Sequence, residues 1–148
     1  MNKPLMFDDL MKILLRHEGI RLKPYKCSAG KLTIGVGRNL EDQGISKIEA
    51  LAMLVSDIEI VHEEALKSVS SYKTLNDARK IVVASMIFNM GIGRFLKFTK
   101  FLRALNYGDF QTAAKEMMDS LWSTQVGERA KELSDIMATG QLIDERLN

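Results

Sequence analysis

Three residues near the N-terminus could share one reaction: Glu18, Cys27 after eight intervening residues, and Thr33 after five more. A glutamic acid in an apolar corner can have its pKa raised until it donates a proton near neutral pH. A thiol and a hydroxyl brought together beside it could hold a water for attack. The set therefore suits acid–base chemistry with a positioned water. Taken singly, each signal is weak, because Glu18 also reads as a solvated helix end and Cys27 as a buried structural cysteine.

These residues need elements to bring them together. The apolar positions Phe7, Leu10, Met11 and Leu14 recur at helical spacing, so a helix is predicted to end at Glu18, with Gly19 as its stop. Leu22 to Lys26 and Lys31 to Val36 read as short strands joined by the turn Ser28-Ala29-Gly30. Such a hairpin carries Cys27 and Thr33 towards one another and both towards Glu18. The stretch closes on Gly35-Val36-Gly37.

The whole spacing, together with the flanking Leu14-Leu15, Glu18-Gly19, Arg21-Leu22-Lys23 and Tyr25-Lys26, resembles the phage lysozymes of the T-even type. That family carries Glu, then Asp or Cys after eight residues, then Thr after five, followed by a G-x-G turn. The likeness resumes at residues 79–91, at Phe98 to Arg103, at Ala113-Ala114 and at Ser120 to Lys131, so it covers most of the chain. Two departures from the best-known pattern stand out. Cys27 replaces an Asp, and a thiol of ordinary pKa, about 8.5, is mostly protonated at neutral pH, so the site must depress that value or use Cys27 by position. Arg38 replaces a histidine that pairs with an acid, and Asp57 stands at the matching acidic place, so an Arg38–Asp57 contact is expected.

At 148 residues, with 46% apolar and 27% charged residues, the chain suits one domain of ordinary globular composition. A net charge of +2 is too small to point to nucleic acid. One cysteine excludes an internal disulfide, so the chain can fold in a reducing compartment. No signal-peptide core and no run of membrane-spanning length is visible; Ile81 to Phe88 is the most apolar stretch.

Further along, Asn39 to Ile45 reads as a polar link. Ser46 and Glu49 form a capping box that opens a long helix through Ile48, Leu51, Leu54, Val55, Ile58, Val61 and Ala65. Asn76 caps a strongly apolar helix stopped by Gly91. Thr99 to Leu105 gives a short helix, Asp109 caps another to about Asp119, and a last helix runs from about Val126 to Ala138. Leu142 to Asn148 reads as a loosely held tail.

Several residues in this half admit two readings. Phe88 and Asn89 are either core packing and a helix end or, by the resemblance, substrate contacts; Asn39 joins them as a substrate contact on the same ground. Trp122, the only tryptophan, reads as a core anchor ahead of a sugar platform. Arg129 is a solvated charge by default, but its family counterpart lies beside the catalytic Glu, where it would support Glu18. His17 and His62 show no metal-ligand pattern, and the side chains of His17 and Glu18 diverge on a helix. A Cys27–His17 peptidase dyad, with the histidine as the base that a nucleophilic cysteine needs, is a minor alternative.

The resemblance implies an α+β, lysozyme-like fold: a small β-hairpin lobe and a larger all-helical lobe joined by a long helix, with a groove between them. About 18–60 would form the hairpin lobe and connecting helix, and about 61–148, with the N-terminal helix, the helical lobe of a single 1–148 domain. It implies a muramidase cleaving the β-1,4 bond between N-acetylmuramic acid and N-acetylglucosamine, with Glu18 as general acid and Cys27 and Thr33 placing the water. Neither a metal nor a cofactor is expected, and the chain should be a monomer whose partner is peptidoglycan. The implied route is storage in the host cytoplasm and release to the periplasm with a separate holin. A lytic transglycosylase and an inactive wall-binding module are the rivals.

Overall fold

The computed structural model describes residues 6–142. The expected tail beyond Leu142 lies outside those residues. The protein is α+β, with a three-stranded antiparallel sheet of order β1-β2-β3 and eight α-helices among the described residues. It divides into two compact units, Met1–Ala52 and Met53–Asn148, the division falling inside α2.

In the first unit, α1 (Phe7–Glu18) ends as its apolar spacing predicts, with the Gly19 N–H donating to Leu15 O at 2.9 Å. The strands are β1 (Arg21–Lys26), β2 (Leu32–Gly35) and β3 (Arg38–Asn39). β1 pairs with β2 through Tyr25↔Thr33 and Lys26↔Leu32, with an irregularity between Arg21 and Tyr25, where Pro24 has no N–H to give a ladder. The third strand takes Asn39 out of the expected polar link. Two polar residues carry no alternation, and their strand character comes from pairing with β2, as Thr33↔Asn39 and Ile34↔Arg38.

The capping box forms as expected. Glu49 N–H donates to Ser46 Oγ at 3.1 Å and opens α2 (Lys47–Ser68). Arg38, however, places Nη1 2.8 Å from Glu49 Oε2 and also donates to Gly44 O at 3.1 Å. Its acidic partner is thus Glu49 and not the expected Asp57. A cap uses one carboxylate oxygen, and the other remains for the guanidinium.

The second unit holds the apolar core. After a 3-10 turn at Tyr72–Thr74 come α3 (Asp77–Met90), α4 (Ile92–Phe95), α5 (Thr99–Tyr107), α6 (Phe110–Met118), α7 (Leu121–Val126) and α8 (Glu128–Thr139). Asn76 and Asp109 cap as predicted, accepting from the N–H groups of Arg79 and Thr112. α3 buries Val82, Val83, Met86 and Ile87 against α4 and α8, while Ile81 and Phe88 remain exposed, so it is not buried all round. The expected last helix starts two residues late, because the chain turns at Gly127 and the preceding residues form α7.

The C-terminal end of α8 is clasped by Arg79. Its Nε donates to Met137 O at 2.9 Å and its Nη2 to Ala138 O at 3.2 Å, and its guanidinium lies 3.6 Å over the Phe110 ring. A cation at the last turn also meets the negative end of the helix dipole.

Candidate active site

The first unit brings the three chemical residues onto one hairpin and the helix that feeds it. Glu18 is the last residue of α1, and its carboxylate reaches the Gly35–Gly37 turn. A Cβ built on Gly37 would lie 3.5 Å from Glu18 Oε2 and 3.7 Å from its Cδ. With φ at +75°, Gly37 makes the turn, and the acid packs beside it, at ordinary van der Waals distance from that Cβ position. Glu18 is exposed, so the expected apolar corner does not enclose it among the described residues of this unit.

Cys27 and Thr33 converge on a single carbonyl. Lys31 O accepts the Cys27 N–H at 2.9 Å and the Thr33 hydroxyl at 2.8 Å. Thr33 sits on the central strand between Tyr25 and Asn39 and is 3% exposed, the one buried side chain among the described residues of the unit. Cys27 is half-buried and free. Its turn gathers donors around the sulfur: the N–H groups of Lys31, first, and of Ala29, then the Thr33 side chain, hold the thiol below its ordinary pKa against a smaller opposing effect of burial. The question left by Cys27 in place of Asp therefore has a local answer, since hydrogen bonds to the thiolate favour ionisation.

Asn39 lies directly across from Thr33, but its amide serves its own turn. Nδ2 donates to Asp42 Oδ2 at 3.0 Å, and Oδ1 accepts the Asp42 N–H at 3.0 Å.

The other expected site residues belong to the second unit. Phe88 is 50% exposed, and it lines an apolar trough of about 550 Å³ with Leu54, Ile58, Ile81, Leu133 and Arg129. Asn89, next to it, accepts a hydrogen bond from Trp122 Nε1 at 2.9 Å. Trp122 is 5% exposed, which bears out its reading as a core anchor. Among the described residues no group of three or more His, Cys, Asp or Glu could hold a metal, and no helix is long and apolar enough to cross a membrane.

Comparison with known proteins identifies the family. The family described as phage lysozyme matches residues 15–136. The chain is 36% identical to an endolysin of Acyrthosiphon pisum secondary endosymbiont phage 1 over 115 residues, 75% of each protein. It is 27% identical to probable T4-type lysozyme 1 of Dictyostelium discoideum, over 93% of this chain and 98% of that one. It is also 30% identical to the pre-baseplate central spike protein Gp5 of Enterobacteria phage T4, covering 90% of this chain but 28% of the spike protein. With a family match running from the end of α1 to α8, and the Glu18, Cys27 and Thr33 hairpin in place, the chain belongs to the phage lysozyme family of lysozyme-type hydrolases.

Proposed function

We propose that this protein is an endolysin muramidase that hydrolyses the β-1,4 bond between N-acetylmuramic acid and N-acetylglucosamine in bacterial peptidoglycan. The observation that carries the reading is the convergence of Cys27 and Thr33 on the Lys31 carbonyl, in the hairpin whose Gly37 turn lies against the Glu18 carboxylate. In this reading the Glu18 carboxylic acid gives its proton to the glycosidic oxygen as the C1–O bond breaks, and the bonding pair leaves with that oxygen. A water held by Cys27 and Thr33 attacks C1 and loses a proton to the Cys27 thiolate. The donors that depress the Cys27 pKa support such a base, which supplies the second anionic group that glycosidases draw from a carboxylate pair.

Phe88, Asn89 and Asn39 are the proposed substrate contacts, and Arg129 the proposed support of Glu18. The exposed Phe88 ring offers an apolar face to a sugar, whereas Asn89 and Asn39 each have their Oδ1 already engaged. The names of two phage relatives, each an endolysin, support endolysin use. A single 1–148 domain that acts as a monomer, is held in the host cytoplasm and is released with a separate holin belongs to the same proposal.

The test is mass spectrometry of purified Gram-negative peptidoglycan after incubation with wild type and Glu18→Gln. Reducing muramic-acid ends from wild type, lost in the variant, are expected. Anhydro-muramic ends would reassign the protein to the transglycosylases. Binding without any product would leave a wall-binding module.

A further inference from the structure

The Lys31–Leu32 peptide carries more than strand pairing. Its carbonyl, Lys31 O, is the acceptor shared by Cys27 N–H and Thr33 Oγ1. Its amide, Leu32 N–H, does not complete a ladder bond but donates to Glu41 Oε1 at 2.9 Å. A peptide unit is planar, so the two ends cannot tilt independently. Whatever fixes the Leu32 N–H also fixes the direction of the Lys31 carbonyl.

Glu41 is itself restrained. The next peptide is tied back, Leu40 N–H donating to Leu32 O at 2.8 Å, so the turn that carries Glu41 is bonded on both sides of Leu32. Lys31 Nζ stands 4.0 Å from Glu41 Oε2 and 3.4 Å from Asp42 Oδ1, and Asp42 is bonded to Asn39. A carboxylate on a backbone N–H makes a charge-assisted bond, stronger than a neutral one. It also polarises the peptide, which makes the carbonyl at the far end a better acceptor.

We propose that Glu41 is a positioning residue for the Cys27–Thr33 pair, acting through the plane of the Lys31–Leu32 peptide. This rests on the reading of Cys27 and Thr33 as the groups that place the water. Glu41 touches neither of them. It sets the carbonyl on which both hang, and that carbonyl belongs to Lys31, the residue whose own N–H faces the Cys27 sulfur.

The experiment uses the full-length protein with Glu41→Ala and Glu41→Gln. Gln keeps an oxygen for the Leu32 N–H and loses the charge. Two quantities are read: the pH midpoint of Cys27 alkylation by iodoacetamide, and kcat and KM on peptidoglycan. Glu41→Ala is expected to move the midpoint up towards the free-thiol value of about 8.5. It should also lower kcat about tenfold, as a displaced catalytic group does, with KM little changed. Glu41→Gln should recover most of both. A Glu41→Ala protein with unchanged midpoint and kcat overturns the proposal, as does a Gln variant no better than Ala. Cys27→Ala and Thr33→Ala separate the two levels. Loss of turnover in those variants with none in Glu41→Ala overturns the positioning role alone, whereas full turnover in both overturns the reading beneath it.

Discussion

Trp122 and Asn89 are joined across 33 positions of sequence by one hydrogen bond, indole Nε1 to amide Oδ1 at 2.9 Å. The bond ties α7 to the last turn of α3, beside the exposed Phe88. A buried indole needs a partner for its N–H, and here the partner sits at a proposed substrate contact.

Trp122→Phe keeps most of the apolar volume and removes the donor, so it should cost about 1 kcal/mol of stability. Trp122→Ala should cost about 3–5 kcal/mol through the cavity it leaves. Urea denaturation checks both. In a double-mutant cycle with Asn89→Ala, a coupling near zero would show that the bond contributes nothing beyond packing.

Gly37→Ala tests the approach of the acid to its turn. The added methyl would stand 3.5 Å from Glu18 Oε2, at a backbone φ of +75° that costs a side-chain-bearing residue about 1 kcal/mol or more. The methyl fits at that distance, so the strain falls on the backbone of the turn that the acid packs against. If the turn relaxes and carries the acid with it, peptidoglycan turnover should fall about tenfold in a protein that still melts cooperatively. Wild-type turnover would detach the turn from the acid.

The Cys27 thiol gives a pH dependence with a definite sign. Its folded-state pKa is lowered by backbone donors, so the folded protein releases this proton more readily than the unfolded chain. The associated stability is present above the unfolded value and is lost as pH falls through the folded one. Urea midpoints of wild type and Cys27→Ala, compared between about pH 6 and pH 9.5, should diverge in favour of wild type as pH rises. A constant difference would contradict the donor arrangement.

At the other end of the chain, Gly140→Ala should disturb the clasp on α8. A Cβ there would lie 2.9 Å from Arg79 Cζ, and the residue has φ at +70°. Arg79 could swing aside only by giving up its bonds to Met137 O and Ala138 O and its place over Phe110. Thermal melting should register a loss of about 1–3 kcal/mol. Arg79→Met, which keeps the apolar stem and drops the donors, should relieve part of the penalty in the double variant.

The elements read correctly from sequence are those written in local chemistry. Caps at Ser46, Asn76 and Asp109 and the 3.6 period of α1 and α2 each involve residues within a turn or two of one another. What escaped is either too short for a period or set by partners far along the chain. α4 has four residues and α7 six, and β3 is a strand only because β2 lies beside it. The spacing of Glu18, Cys27 and Thr33 was legible as residue types. The point where Cys27 and Thr33 meet was not, because Lys31 O is a backbone group of a kind that every sequence contains. Arg38 illustrates the same limit: Glu49 had one evident duty as a cap, and its second oxygen left no mark in the sequence.

A threonine hydroxyl has a single proton, and that fact gives the Thr33 bond a direction. While the proton is spent on Lys31 O, the oxygen presents lone pairs alone, and any neighbour must donate to it. Turned instead to the Cys27 thiolate, whose charge it helps to stabilise, the hydroxyl abandons the carbonyl. The two bonds are mutually exclusive, so ionisation of the sulfur and the orientation of one rotor are linked. Replacing Thr33 with Ser would preserve that linkage at the loss of one methyl, and replacing it with Val, which keeps nearly the same volume beside the sheet, would abolish it.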